Sequence, residues 1–151
     1  MNKQESKLNK SRRRLPHWEL NDATYFVTFR LLKGVLSNHE CQIVLDHLLE
    51  GDRVFYHAVT AVVMPDHCHL LIRPKPEYGL SRVMKGIKGV SARLINQSRG
   101  RRGSIWQDES LDRIMRDEDE AIEKAQYILE NPVRAGLVDN PLDYPFVISF
   151  M

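Results

Sequence analysis

The middle of the chain limits its folding most. Val54 to Val63 is dense in β-branched and aromatic residues, and His67 to Ile72 resumes an apolar run. Between them, Met64-Pro65-Asp66-His67 puts proline at the second position of a tight turn, where its fixed φ fits. Two strands joined by so short a turn pair antiparallel, as a hairpin. The flanks are built alike. Tyr25 to Leu31 reads as a strand. Ser37 then reads as a helix N-cap with Glu40 at the capping-box position. Ile43, Val44, His47 and Leu48 follow at helical spacing, up to Gly51. Beyond Pro74 and Pro76, Leu80, Val83, Met84, Ile87, Val90 and Leu94 mark a long amphipathic helix. Arg82, Lys85 and Lys88 lie on another of its faces. Leu111 to Met115 reads as a fourth strand. Asp117 and Glu120 form a second capping box, opening a helix that reaches Leu129 or Glu130 before Pro132 stops it. Strand–helix–strand–strand–helix–strand is the ferredoxin-like split βαβ order. The expected class is therefore α+β: an antiparallel sheet with one added C-terminal helix.

With 151 residues, of which 42% are apolar, the chain reads as one domain with one core. No run approaches the ~18 apolar residues of a membrane helix. The charged start, MNKQESKLNKSRRRLP, lacks the apolar stretch of a secretory signal. Cys41 and Cys68 form no paired framework. A cytoplasmic protein is expected, without membrane association.

The net charge of +2 conceals a division. Residues 1–14 carry six Lys/Arg against one acid, residues 79–103 carry seven and no acid, and residues 108–143 carry eleven acids against four bases. Residues 1–15 read as a basic arm preceding a domain over 16–151. Basic blocks point to a polyanion, since each neutralised phosphate releases counterions. A solvated face accounts for the same runs. Arg12, Arg13, Arg14, Lys85, Lys88, Arg99, Arg101 and Arg102 are the candidates for tracking a nucleic-acid backbone.

Two constellations carry possible chemistry. Side chains alternate along a strand, so His67 and His69 share one face while Cys68 joins Leu70 and Ile72 on the other. Two imidazoles so spaced can grip one cation. Surface or semi-buried histidines give the same pattern. Asp66 reads as a turn residue, a ligand, or a partner to one. On the last helix, Glu120, Lys124, Tyr127 and Asn131 form one stripe, and Ala121, Ile122, Ala125, Ile128 and Leu129 the opposite, core-facing one. A phenol and an amide oxygen one turn apart complement an imidazole pair, and nitrogen with oxygen donors suits Mg²⁺ or Mn²⁺. Asn131 as a helix cap and Tyr127 as a surface residue is the plainer reading. Trp106 reads as core before base-stacking. Arg116 and Arg134 read equally as phosphate clamps or ion-pair partners.

Taken together, the segments Tyr25-Phe26-Val27-Thr28-Phe29, Val62-Val63-Met64-Pro65-Asp66-His67-Cys68-His69-Leu70-Leu71-Ile72, Ile105-Trp106-Gln107, Asp112-Arg113-Ile114-Met115-Arg116 and Tyr127 through Val138 resemble the REP-associated tyrosine transposases. These belong to the single-tyrosine HUH transposases of insertion sequences. The resemblance spans roughly residues 15–145. It implies a ferredoxin-like fold and a Mg²⁺- or Mn²⁺-dependent nuclease and strand transferase acting on single-stranded DNA beside a hairpin, as a monomer or homodimer. By position it makes His67 and His69 metal ligands, Asn131 a third ligand and Tyr127 the nucleophile. Cys68 departs from the usual middle hydrophobe. A non-catalytic binder of structured single strands and a hydrolase using metal-bound water are the competing readings. No nucleotide-binding loop of the G-x-x-x-x-G-K-[ST] type is present.

Overall fold

The structure is a computed structural model and describes residues 23–149. The expected arm, with Arg12, Arg13 and Arg14, lies outside the described residues. The elements run β1 (Tyr25–Arg30), α1 (Asn38–Gly51), β2 (Tyr56–Val63), β3 (His67–Pro74), α2 (Gly79–Arg99), β4 (Leu111–Ile114), α3 (Glu118–Arg134), a short 3₁₀ turn (Pro141–Asp143) and β5 (Val147–Ile148). The sheet order is β4-β1-β3-β2-β5, with every pairing antiparallel. The first four strands stand in the expected split βαβ order, and β5 is an unexpected fifth. It pairs Ala61 with Ile148 and Val62 with Val147 along the outer edge of β2. The Tyr144 hydroxyl donates to the Val63 carbonyl at 2.6 Å, anchoring the same segment.

Helix α1 starts where the sequence indicates. Ser37 Oγ accepts from the Glu40 amide and Glu40 Oε1 accepts from the Ser37 amide, a complete capping box. The second box forms only by half. Asp117 caps the Glu120 amide at 2.8 Å, but the Glu120 carboxylate turns away to Arg113 and Arg116. Two guanidiniums outcompete one backbone amide for a carboxylate. The helix α3 also outruns its expected end. Pro132 sits inside its last turn, costing only the bond its missing N–H would have made. The helix closes beyond it, with the Ala135 amide donating to the Asn131 carbonyl and Gly136 at φ +75°.

Register assigns the two faces of the sheet. β1 pairs with β3 so that Phe29 lies opposite Cys68 and Val27 opposite Leu70. These residues are fully buried on the face covered by α1 and α2. Trp106 belongs there too. Its ring meets Phe29 edge-on at 4.7 Å and its indole N–H donates to Ser91 of α2, so it is core, as its sequence context suggests. A register shift in β2 between Ala58 and Thr60 is decisive for the strand's start. The extra residue switches the alternation, turning Tyr56 toward α1, where its hydroxyl donates to the Leu48 carbonyl. Thr28, His69, Phe26 and Leu71 face the other way, under α3.

Candidate functional site

The α3 face gathers side chains that the helical face excludes. β1 places Thr28 beside His69 and Arg30 beside His67 in antiparallel register. The two imidazole centroids are 4.7 Å apart. Each ring is fixed through Nδ1: that of His67 lies 2.6 Å from Asp66 Oδ1, and that of His69 lies 2.8 Å from Thr28 Oγ1. A tautomer with Nδ1–H donating in both rings leaves the Nε2 lone pairs available to a ligand, the arrangement usual for metal-binding imidazoles. His69 stacks on Phe26 at 5.4 Å, and burial, then His67, Arg30 and Lys124, push its pKa down to about 4. It is therefore a neutral ring, able to donate a lone pair, across the physiological range.

Helix α3 lies across this pair. Tyr127 approaches His69 with ring centroids 5.7 Å apart and Phe26 with 6.2 Å. The stripe Lys124–Tyr127–Asn131 is thus turned toward the sheet's rim rather than toward open solvent, and Asn131 itself is buried. Tyr127 meets His69 within one chain, and His69 in turn adjoins His67. Among the described residues, the hydrogen bonds and ring contacts that unite this cluster do not include Asn131. Nor do any three His, Cys, Asp or Glu side chains among them stand ready to hold one ion. Two imidazoles are borderline nitrogen donors, and a hard cation such as Mg²⁺ or Mn²⁺ would need oxygen from amide, water or phosphate at its remaining positions.

Two cations flank the tyrosine. The Arg134 guanidinium stands 4.4 Å over the Tyr127 ring and also pairs with Glu130 at 3.0 Å. The Lys124 ammonium lies 4.9 Å from the Phe26 centroid and 5.4 Å from that of Tyr127. Arg116 pairs with Glu120. Lys124 shares the Tyr127 stripe by its spacing, whereas Thr28 and Phe26 escaped sequence reasoning as members of the site. Only cross-strand register and helix placement bring them there, and neither is written in local spacing.

The basic candidates of the α2 region lie on the opposite side of the sheet. Lys88 is already engaged: its Nζ donates to the carbonyls of Gln107 and Asp108 at 2.6 and 3.0 Å. Burial lowers its pKa, while Asp108 opposes the shift. Arg99 donates to both oxygens of Glu40, binding the end of α2 to the start of α1. Lys85, by contrast, lines an open groove of about 790 Å³ between α2 and the Ser104–Asp112 segment. Arg93, Arg101 and Arg102 line a second of about 560 Å³, which shares Gly89 and Ala92 with the first. Cys41 and Cys68 are both buried free thiols. Burial pushes Cys41 up to about 11 and Cys68 well above its ordinary value, so neither is a nucleophile.

The fold is an antiparallel α+β sheet that gathers a histidine pair and a tyrosine on one face. The model of the family described as "Transposase IS200 like" matches residues 30–130, and the chain belongs to that family. A Haemophilus influenzae protein named as a REP-associated tyrosine transposase is 26% identical over 101 residues, covering 60% of this chain. That match spans 57% of the curated relative's length. A solved structure of a REP-associated tyrosine transposase bound to a REP hairpin superposes with a TM-score of 0.71 at 22% identity. The superposition covers 89% of this chain and 81% of that one, and establishes the shared fold. Among the described residues, no helix is long and apolar enough to cross a membrane.

Proposed function

We propose that this chain is a metal-dependent single-stranded DNA endonuclease and strand transferase that cleaves beside a hairpin through a 5′-phosphotyrosine. The observation that carries the reading is the approach of Tyr127 to His69, ring centroids 5.7 Å apart, with His67 adjoining His69 at 4.7 Å. Family membership and the REP hairpin bound by the structural relative point to the same substrate class.

In this reading His67 and His69 bind Mg²⁺ or Mn²⁺, and Asn131 supplies a further oxygen. Held there, such a cation would supply Lewis-acid polarisation to the phosphoryl oxygens of the scissile phosphodiester. Tyr127 Oη attacks the phosphorus as its phenolic proton passes to water, which returns one to the leaving oxygen. The P–O3′ bond breaks, and the 3′-oxygen leaves as a hydroxyl after taking a proton. One phosphodiester has replaced another, so a later 3′-OH can reverse the step on a different strand without a nucleotide cofactor. Asp66 and Thr28 hold the two rings in the ligating tautomer. Lys85, Arg101 and Arg102, with Arg12, Arg13 and Arg14 of the N-terminal segment, track phosphates. Lys88 and Arg99 hold the scaffold of that surface.

The purified chain is incubated with a labelled hairpin oligonucleotide bearing a single-stranded flank, with Mn²⁺. A denaturation-resistant adduct is expected, absent in Tyr127→Phe and in chelator. His67→Ala is expected to lose the adduct while retaining hairpin affinity. Tight binding without any adduct identifies a binder instead, and cleavage that survives Tyr127→Phe identifies a hydrolase.

A further inference from the structure

We infer that Lys124 and Arg134 form a cationic clamp for the scissile phosphodiester, one on each side of Tyr127 along α3; this rests on the reading above. Lys124, Tyr127, Asn131 and Arg134 are spaced three, four and three residues apart, so they share one helical stripe. Both charged ends stand over the Tyr127 ring, Arg134 at 4.4 Å and Lys124 at 5.4 Å, and Lys124 also caps Phe26 at 4.9 Å. Because they belong to the tyrosine's own helix, any shift of α3 moves nucleophile and clamp together.

The charge balance of the cluster explains what they await. Lys124 and Arg30 act electrostatically on His69, Arg134 stands over the adjoining Tyr127, and the carboxylate at the histidine pair is Asp66, on His67. The nearby Glu120 is consumed by Arg113 and Arg116. Among the described residues Lys124 makes no ion pair, resting only on aromatic faces. Arg134 has one, with Glu130, but both partners are about half exposed and the guanidinium keeps further N–H groups for a second anion. A divalent cation on His67 and His69 would add to this excess. Such a concentration of positive charge calls for an anion, and the phosphodiester lying between Tyr127 and the histidines is that anion. A lysine or arginine meets it with charge-assisted hydrogen bonds.

The test pairs protein and substrate changes. Hairpin oligonucleotides carry either the natural phosphodiester or a neutral methylphosphonate at the cleavage position. Affinity is measured with the wild-type chain, Lys124→Gln, Lys124→Arg and Arg134→Gln, in Ca²⁺ so that binding is read apart from cleavage. Lys124→Gln and Arg134→Gln are each expected to weaken binding of the natural strand roughly tenfold, the scale of one charge-assisted contact. Neither should weaken binding of the methylphosphonate strand, and Lys124→Arg should restore the natural affinity. Equal losses on both strands overturn the clamp, because a merely structural role would not discriminate by one charge. The adduct assay on the wild-type chain separates the two failures. A wild-type adduct with equal losses sinks the clamp alone, whereas no wild-type adduct sinks the parent reading and the clamp with it.

Discussion

The two faces of one sheet differ in everything but their strands. Under α1 and α2, Val27, Phe29, Cys68, Leu70 and Ile72 are buried with almost no surface, and the polar contacts there are structural: Trp106 to Ser91, Tyr56 to Leu48. Under α3, the alternate residues of the same strands are Phe26, Thr28, His67 and His69, met by Lys124, Tyr127 and Arg134. The first face is apolar throughout; the second also buries apolar area, through Leu71, Val62 and the Ala121, Ala125 and Ile128 side of α3. The second accepts polar and charged groups at a cost in stability. Alternation lets one strand serve both, because a change at His69 leaves Leu70 untouched.

Damage to the helical face breaks this division most severely. Phe29→Ala removes a fully buried ring from the Trp106 contact and is expected to cost about 3–5 kcal/mol. Chemical denaturation reads this as a large fall in midpoint, with every activity lost together. An unchanged midpoint would mean that this face is not packed as described.

Thr28→Val sharpens the contrast from the other side. It removes the hydroxyl beside His69 Nδ1 at nearly constant volume. Metal affinity is expected to fall about 10–100-fold, the usual effect of losing a ligand's supporting hydrogen bond. Titration of Mn²⁺ against the folded chain measures it, and the thermal midpoint should move little.

Glu40→Gln examines the helical face through its one buried carboxylate. The Arg99 guanidinium and the Ser37 cap hold the Glu40 pKa below its usual value. A depressed carboxyl stabilises the fold above the unfolded pKa, near 4.5, and loses that contribution as pH falls through the folded one. The variant is expected to be less stable by about 1 kcal/mol near neutrality, the scale of a helix cap. The gap between the two proteins should close on acidification below pH 4.5; a gap independent of pH counts against the ion pair.

Gly86→Ala gives the smallest effect. Gly86 lies within α2 with nothing within 4 Å of an added Cβ. The variant should gain about 0.5–1 kcal/mol from helix propensity alone, read as a small rise in thermal midpoint.

Much of this is legible from local pattern. The hairpin, the Ser37 capping box, the split βαβ order and the sharing of one face by His67 and His69 follow from alternation, turn chemistry and helical spacing, which neighbouring residues fix by themselves. Local pattern places the end of α3 too early, because a proline in a final turn forfeits a single bond that later capping offsets. The Glu120 capping interaction gives way to Arg113 and Arg116, and β5 goes unmarked because two residues carry too little pattern to announce a strand.

What the chain determined by itself was therefore its elements, their order and the chemical types on each stripe. Only the tertiary structure decided that α3 crosses the histidine face, that Thr28 stands against His69, and that Lys88 and Arg99 spend their charges on the scaffold. Those outcomes depend on cross-strand register and on helix packing between residues distant in sequence. Spacing along the chain constrains which side chains share a face, but not which faces meet.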